Sequence, residues 1–348
     1  MATLGLPPFP VHESRLLGLG SYRPSQVGSS KEVAARVGVD AQWIELRTGI
    51  LSRRFAAEDE DVEAMAFAAA ANALAAAAVD PVDIDCVILA SQSHLSQTPP
   101  LAPRLAHRLG TRGAGAFDLK SACSGFCIGL AAARDYIRCG GARHILVIAS
   151  EKLSHITDHT DRDTAGIFAD GAGAAVVGPA RVWGIGPMAW ASDGSCAENL
   201  GITSTWADIR DDRNRPAPAI TMDGTRLMRW VLQNVREAVA QALQSAGVQL
   251  EDLNVVVPHQ ANGRFVDLLA DRLQLPAHIT VAHDVVHAGN TSAASIPLAI
   301  EQLMSQQAAH EGDLALLLAF GAGVTYAAQV VRLPAACRST DRAQKDQA

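Results

Sequence analysis

Aromatic side chains make up only 5% of this 348-residue chain, lysines number four, and cysteines six. No apolar run approaches the roughly 20 residues that a membrane span needs, and no basic leader precedes an apolar stretch. A soluble, cytoplasmic protein is expected. Cys86, Cys123, Cys127, Cys139, Cys196 and Cys337 are too few and too scattered for a disulfide framework, so reduced thiols are expected. The spacings within Cys123, Cys127 and Cys139 lack the paired C-x-x-C of most zinc sites. His155 and His159 stand at i, i+4, but Ile156 occupies the place where a helical H-E-x-x-H site needs glutamate, so no metal is expected. Basic residues are outnumbered 29 to 36, giving a net charge of −7. Broad attraction to nucleic acid or to a membrane surface is thereby excluded, and an acidic partner must find a local basic patch. What remains is 49% hydrophobic and 19% charged, a globular composition with ample material for a core.

Two stretches of the chain read alike. ALAAAAVDPVDIDCVI from Ala73 and ALQSAGVQLEDLNVVV from Ala242 each combine the end of an Ala-rich helix, a turn carrying an aspartate (Asp83, Asp252) and a short β-branched strand. LAHRL from Leu105 pairs with LADRL from Leu269, and the strand from His144 to Ala149 pairs with that from Ala315 to Ala319. Chance likeness of Ala-rich helices explains one matched element better than three in the same order. A period near 170 residues is too long for a solenoid and indicates two fused copies of one unit of helices and strands. Helices alternating with apolar strands imply helix-covered sheets. The expected architecture is a five-layered α/β/α/β/α fold, with one half over 14–180, another over 181–334, and poorly ordered ends at 1–13 and 335–348. Trp206 to Pro218 is polar and reads as an exposed excursion.

Chemistry concentrates in a few places. Ser121-Ala-Cys123-Ser-Gly-Phe126 follows a short strand and opens an apolar helix, which puts Cys123 at a helix N-terminus where free N–H groups and the dipole favour a thiolate. A lone cysteine is more often a small buried hydrophobe, and Cys127 and Cys86 take that reading. In the second half, Val257-Pro-His259-Gln-Ala-Asn262 follows a buried strand, and His287-Ala-Gly-Asn290-Thr-Ser-Ala opens the next long helix. Either polar residue alone could be a loop hydrogen bonder or an N-cap. Asn290 falls 167 residues after Cys123, so the duplication would bring both helix starts near one pseudo-twofold axis. Asp170-Gly-Ala-Gly173 runs into a strand and not into the helix that a dinucleotide turn requires, so a tight turn entering a strand is expected. Phe320-Gly-Ala-Gly-Val-Thr325 joins two strands and can bring backbone N–H groups to a reacting carbonyl.

Taken together, SACSGF, the TDR of Thr160 to Arg162, FADGAGAAV from Phe168, PHQAN from Pro258, GNTSAAS from Gly289 and FGAGVT from Phe320 resemble the β-ketoacyl-acyl carrier protein synthase III family of thiolase-fold condensing enzymes. The resemblance runs from about Leu16 to Leu333. It implies a triad of Cys123, His259 and Asn290, with Cys123 carrying an acyl group taken from acyl-CoA. Malonyl-acyl carrier protein would then lose CO₂ while His259 and Asn290 hold the thioester oxygen, and the carbanion would attack the acyl-cysteine. The backbone N–H groups of Cys123 and Ala322 would form the oxyanion site; the family usually has glycine at the latter position, and alanine serves only if it avoids positive φ.

The same resemblance implies that Trp43 and Arg162 sandwich the adenine of CoA, and that Arg47, Asn262 and Arg264 reach its phosphates and pantetheine arm. It implies a carrier-protein patch of Arg229, Arg264 and Arg272, with Asp271 where a lysine is common. Thr98 and Phe168 would shape the acyl pocket, Thr98 being contributed by the partner of a homodimer, and no cofactor beyond the two substrates is implied. Thr98 could equally cap the helix that begins at Pro99 and Pro100. A thiolase would need a second cysteine in the C-terminal glycine motif, which Phe320 to Thr325 lacks, and elongating synthases usually have a histidine where Asn290 stands. The alternatives are a starter-unit synthase or acyltransferase of a specialised polyketide pathway that acylates a hydroxyl, and a noncatalytic scaffold.

Overall fold

In the computed structural model, residues 12–335 and 337–341 are described. Two sheets carry the chain. The first has six strands in the order Cys337–Asp341, Glu13–Arg23, Asp170–Ala180, Ile145–Lys152, Cys86–Ala90 and Gly115–Leu119. The second has five, Thr280–Val281, Val255–Pro258, Leu314–Gly321, Thr325–Arg332 and Ile185–Ser192. Read from its Ile185–Ser192 edge, the second sheet repeats the order of the first without the strand Cys337–Asp341.

Strand periodicity divides the core into layers. In Ile145–Lys152, Ile145, Val147 and Ala149 face a central layer while Leu146 and Ile148 face outward; Leu314–Gly321 does the same with Ala315, Leu317 and Ala319 against Leu316, Leu318 and Phe320. The central layer is built by the helices Gly125–Arg138 and Ser295–Ser305, through Phe126, Leu130, Ile137, Ile296, Leu298 and Ile300. Val62–Ala77 and Leu101–Leu109 cover the first sheet, and Gly224–Ala246 and Gly263–Leu273 cover the second. The result is the α/β/α/β/α sandwich expected from the sequence.

The Ala-rich composition has a local cause. Helix Val62–Ala77, capped by Asp61 at the N–H of Ala64 (2.7 Å), buries Ala66, Ala69, Ala70 and Ala73 at helical spacing. The strand beneath offers Gly18 and Gly20, and a Cβ at Gly20 would stand 2.2 Å from the backbone nitrogen of Ala73. Small residues on both sides let backbone pack on backbone.

Two local expectations are corrected, and a third, the exposed stretch from Trp206, is borne out with a short helix at its start. Residues after Pro334 were expected to be poorly ordered, yet Cys337–Asp341 pairs in parallel with Leu19 to Arg23 and extends the first sheet, because that edge of Glu13–Arg23 has N–H and C=O groups to satisfy; the expectation for 342–348, like that for 1–11, lies outside the described residues. The stretch from Trp206 begins as a short helix, Trp206–Asp211, capped reciprocally by Thr205 and Asp208, with Trp206 63% exposed. Asp170 to Gly173 is already strand and not a turn, with Gly173 packed on Pro297.

Candidate active site

The strand Gly115–Leu119 leads into a 3-10 turn, Ala122–Ser124, and then into the helix Gly125–Arg138. Cys123 lies in that turn and is 8% exposed. Ser124 Oγ donates to the carbonyl of Ser121 (2.7 Å) and is 3.0 Å from Thr325 Oγ1, which ties the turn to the loop after Leu314–Gly321. Glycine is required there: a Cβ at Gly321 would stand 2.8 Å from Ser121 O. An equivalent turn, Ser292–Ala294, precedes Ser295–Ser305, and the left-handed φ of Ala122 (45°) recurs at Ser292 (48°). The structural register is therefore 170 and not 167. Cys123 corresponds to Ala293, and Asn290 to Lys120, although the two turns do pack together as expected.

His259 leaves the end of strand Val255–Pro258, its N–H donating to Leu318 O at 2.7 Å. Its Nδ1 is 2.8 Å from Ser295 Oγ, which also accepts from the N–H of Gln260 (3.3 Å). A serine that donates to Nδ1 leaves the ring its proton on Nε2. Asn290 is fixed by a short parallel bridge to Phe168, with Asn290 N donating to Ile167 O and Ala169 N donating to Asn290 O, both at 2.9 Å. Its Oδ1 accepts from Ser292 N (2.8 Å), leaving the Nδ2 amide as the donor group. Ala322 is outside the left-handed φ region.

Burial sets the charges. It pushes the Cys123 thiol up to about 12, opposed by an interaction with the Ser292 hydroxyl and reinforced by the Glu151 carboxylate. Desolvation of the buried sulfur thus opposes the thiolate that the helix N-terminus favours. Burial also lowers His259 to about 3, so the imidazole is neutral and a hydrogen-bond donor, not an ion-pair partner. Cys127 is likewise pushed up to about 12 by burial, which fits a core residue.

Two cavities meet at Cys123. One, of about 100 Å³, is lined by His259, Asn290, Asn262, Phe265 and Met228 among others. The second, of about 130 Å³, is lined by Leu153, Ile156, Ile202, Ile220, Ser292 and Ala322 among others. Cys123, Phe168 and Leu200 line both. Both cavities are mainly apolar, and the first adds His259 and Asn290 beside Cys123.

Family profiles for 3-oxoacyl-[acyl-carrier-protein] synthase III match residues 117–194, and those for its C-terminal part match 243–333. A β-ketoacyl-[acyl-carrier-protein] synthase III of Streptomyces lividans is 46% identical over 92% of this chain and 95% of its own length. This chain belongs to the β-ketoacyl-acyl carrier protein synthase III family. The mycobacterial synthase III of Mycobacterium avium is 44% identical over 92% of this chain and 95% of its own. Among solved structures, a priming β-ketosynthase of a polyketide biosynthetic pathway superposes with a TM-score of 0.93 at 45% identity, covering 95% of this chain and 99% of that one. The synthase III of Aquifex aeolicus superposes with a TM-score of 0.84 at 34% identity, covering 92% and 100%. The fold is the thiolase fold of these synthases.

The other candidate residues fall into two groups. Around the helix Ala41–Thr48, the Arg47 guanidinium stacks on Trp43 (5.0 Å) and pairs with Asp163 (3.2 Å), next to Arg162 in the chain, while Arg264 donates from Nε to Leu46 O (2.9 Å). Helix Gly263–Leu273 starts against helix Ala41–Thr48, with the Asn262 Oδ1 accepting from Phe265 N (2.8 Å) as its cap. Farther out, Arg229 and Arg272 are exposed on adjacent helices. Arg236, which sequence reasoning missed, donates to Arg272 O (2.9 Å). Thr98 lines neither cavity; it is exposed, and it does not cap the following helix. That cap is the Asp118 carboxylate, which accepts from Leu101 N (2.8 Å) and Ala102 N (2.7 Å). Ser292, Ser295 and Glu151 were also missed, since only long-range packing brings them beside Cys123 and His259. Among the described residues, no three His, Cys, Asp or Glu side chains are grouped to hold a metal, and no helix is long and apolar enough to cross a membrane.

Proposed function

We propose that this enzyme starts fatty acid or polyketide synthesis by condensing an acyl-CoA primer with malonyl-acyl carrier protein through an acyl-Cys123 intermediate. The observation that carries the reading is that Cys123 lines two cavities, one that also holds His259 and Asn290 and a second walled by Leu153, Ile156 and Ile220. The acyl chain occupies the aliphatic cavity, and the thiol arm of CoA and later of the carrier protein enters on the His259 and Asn290 side. Backbone N–H groups of Cys123 and Ala322 receive the oxygen of the tetrahedral intermediate. For the malonyl thioester, neutral His259 donates from Nε2 and Asn290 from Nδ2 to the oxygen where enolate charge develops. The carbanion left after CO₂ departs then attacks the acyl carbon on Cys123. No cofactor is needed by this sequence of steps.

The two half-reactions separate the roles. Cys123→Ala is expected to abolish the acyl adduct in intact-protein mass spectra while some malonyl-thioester decarboxylation persists. His259→Ala and Asn290→Ala are expected to keep the adduct and lose decarboxylation by about 100-fold or more. An adduct persisting in Cys123→Ala would overturn the assignment.

At the rim, Trp43 and Arg162 take the adenine, with Arg47, Asn262 and Arg264 on the phosphates and pantetheine. Arg229, Arg264, Arg272 and Arg236 receive the acidic carrier protein. The enzyme works as a homodimer in which the exposed loop bearing Leu95 (62% exposed) and Thr98 meets the partner's acyl cavity; the edge position of strand Gly115–Leu119 supports this pairing. The likeness to a priming synthase of a polyketide pathway favours that pathway class.

A further inference from the structure

Arg53, in the strand Ser52–Phe55, is wholly buried, and among the described residues no carboxylate bonds to it. Burial lowers it to about 10, so it is a cation at neutral pH. A buried cation without a counter-ion is costly, and an apolar side chain of its volume would fill the space at less cost. Its bonds run between segments. Nη2 donates to Gly166 O (2.6 Å) and Nη1 to Ser30 Oγ (3.2 Å), whose own proton goes to Ile50 O (2.7 Å), while Nε has no partner. The acceptor Gly166 sits inside the segment 160–169, which also carries Arg162. On that side Gly166 packs on Ile44, the neighbour of Trp43 in helix Ala41–Thr48: a Cβ at Gly166 would lie 3.2 Å from Ile44 Cγ2. On the other side Ile167 O accepts from Asn290 N, Ala169 N donates to Asn290 O, and Phe168 lines both cavities. Arg53 also abuts the Asn290 turn, since a Cβ at Gly289 would stand 2.7 Å from Arg53 Cβ, and Gly289 has a left-handed φ of 72°. One buried cation therefore holds a carbonyl midway between Arg162 and the Asn290 bridge.

Resting on the roles proposed for Trp43 and Arg162 with CoA and for Asn290 with the malonyl thioester, we propose that Arg53 is a positioning residue that sets both substrate sites at once by clamping the carbonyl of Gly166. Charge strengthens the clamp, because a guanidinium N–H in a dry site holds a carbonyl more tightly than a neutral donor does. Shape matters as well: the planar fork reaches Gly166 and Ser30 with two arms at fixed angles, whereas an ammonium is a single point of charge. Without the clamp Gly166 O loses its donor and the segment 160–169 is free to shift. The shift reaches Arg162 in one direction and Asn290 in the other, and both backbone bonds that tie Asn290 to this segment move with it. Small misplacements of a group that holds a reacting oxygen are expensive in rate. Cys123 is spared, since its turn is fastened elsewhere, through Ser124 to Ser121 and Thr325. The signature of the clamp is a paired loss, in CoA binding and in malonyl decarboxylation, with the thiol intact.

Single-turnover acylation by butyryl-CoA, read by mass spectrometry over a range of concentrations, separates binding from chemistry. Arg53→Met is expected to raise the half-saturating butyryl-CoA concentration about tenfold while the limiting rate stays within about threefold of wild type. Malonyl decarboxylation by Arg53→Met in a Cys123→Ala background is expected to fall about tenfold below Cys123→Ala alone. Iodoacetamide alkylation of Cys123 is expected to be unchanged in Arg53→Met. Arg53→Lys and Ser30→Ala keep part of the clamp and are expected to fall between wild type and Arg53→Met, with both losses rising together across the series and independent of Tm. Losses that follow Tm, or that lower alkylation and the limiting rate as well, would mark a merely structural residue and overturn the proposal. A loss confined to one substrate would overturn it too, as would wild-type values throughout. If Arg53→Met does not fold, Arg53→Lys and Ser30→Ala decide by the same criteria. Wild type that forms no adduct with acetyl-, butyryl- or octanoyl-CoA would instead overturn the acyl-cysteine reading beneath it.

Discussion

His259 shows how one hydroxyl sets what a residue can do. Ser295 engages Nδ1 at 2.8 Å, so Nε2 is the ring nitrogen left for a ligand, and burial lowers the imidazole to about 3. Because the folded value lies below that of the unfolded chain, the neutral ring contributes stability above about pH 6.5, and this is lost as the pH falls toward 3. Malonyl decarboxylation by Cys123→Ala is therefore expected to show no acid limb near pH 6.5. An ordinary histidine would give one there. Ser295→Ala is expected to lower decarboxylation about tenfold while leaving acylation intact, since only the ring's tautomer and aim are disturbed.

Between elements, the interfaces are set by what is small. Gly20 lies under helix Val62–Ala77 with no room for a methyl group, and the obstacle is backbone, which cannot rotate away. Gly20→Ala is expected to cost about 3 kcal/mol or more, read from urea melts, although alanine suits a strand no worse than glycine. The same logic at Gly321 concerns function, because the atoms it admits belong to the turn that carries Cys123. Helix Leu101–Leu109 makes the complementary point: its cap comes from Asp118, on a neighbouring strand and 17 residues from Leu101, a partner that local sequence windows do not reveal.

For the whole molecule, the pocket is expected to be completed between two chains. Thr98 does not line the cavities of its own subunit, so the effect proposed for it on primer choice requires the proposed dimer. Threonine in place of a larger aromatic leaves space for longer acyl groups, and each added methylene buried is worth about 0.8 kcal/mol. Branched or medium-chain acyl-CoAs are expected to prime at least as well as acetyl-CoA, and Thr98→Phe to restore acetyl preference, as measured by kcat/KM across acetyl, isobutyryl, hexanoyl and octanoyl primers. Wild type restricted to acetyl-CoA would place the closure of the pocket elsewhere.

The layered fold was legible in the sequence because strand alternation, Ala-rich helices and a repeat near 170 residues are periodic signals that survive without coordinates. The segments of Cys123 and His259 follow apolar strands and that of Asn290 opens a helix, signals weak one by one, and it was the resemblance of six ordered motifs that implied the triad. Tertiary structure alone decided the rest. The strand Cys337–Asp341 exists because an edge at the opposite end of the chain was open to it, and its own sequence, CRSTD, carries no apolar alternation. The charge states at the site likewise depend on burial, which pushes Cys123 up and His259 down against what their positions along the chain suggest. Ser292, Ser295 and Glu151 are ordinary residues in the sequence; they gain their place beside Cys123 and His259 only when two sheets close on one pair of central helices, since the dielectric and the hydrogen-bond partners of a group are properties of the packed interior.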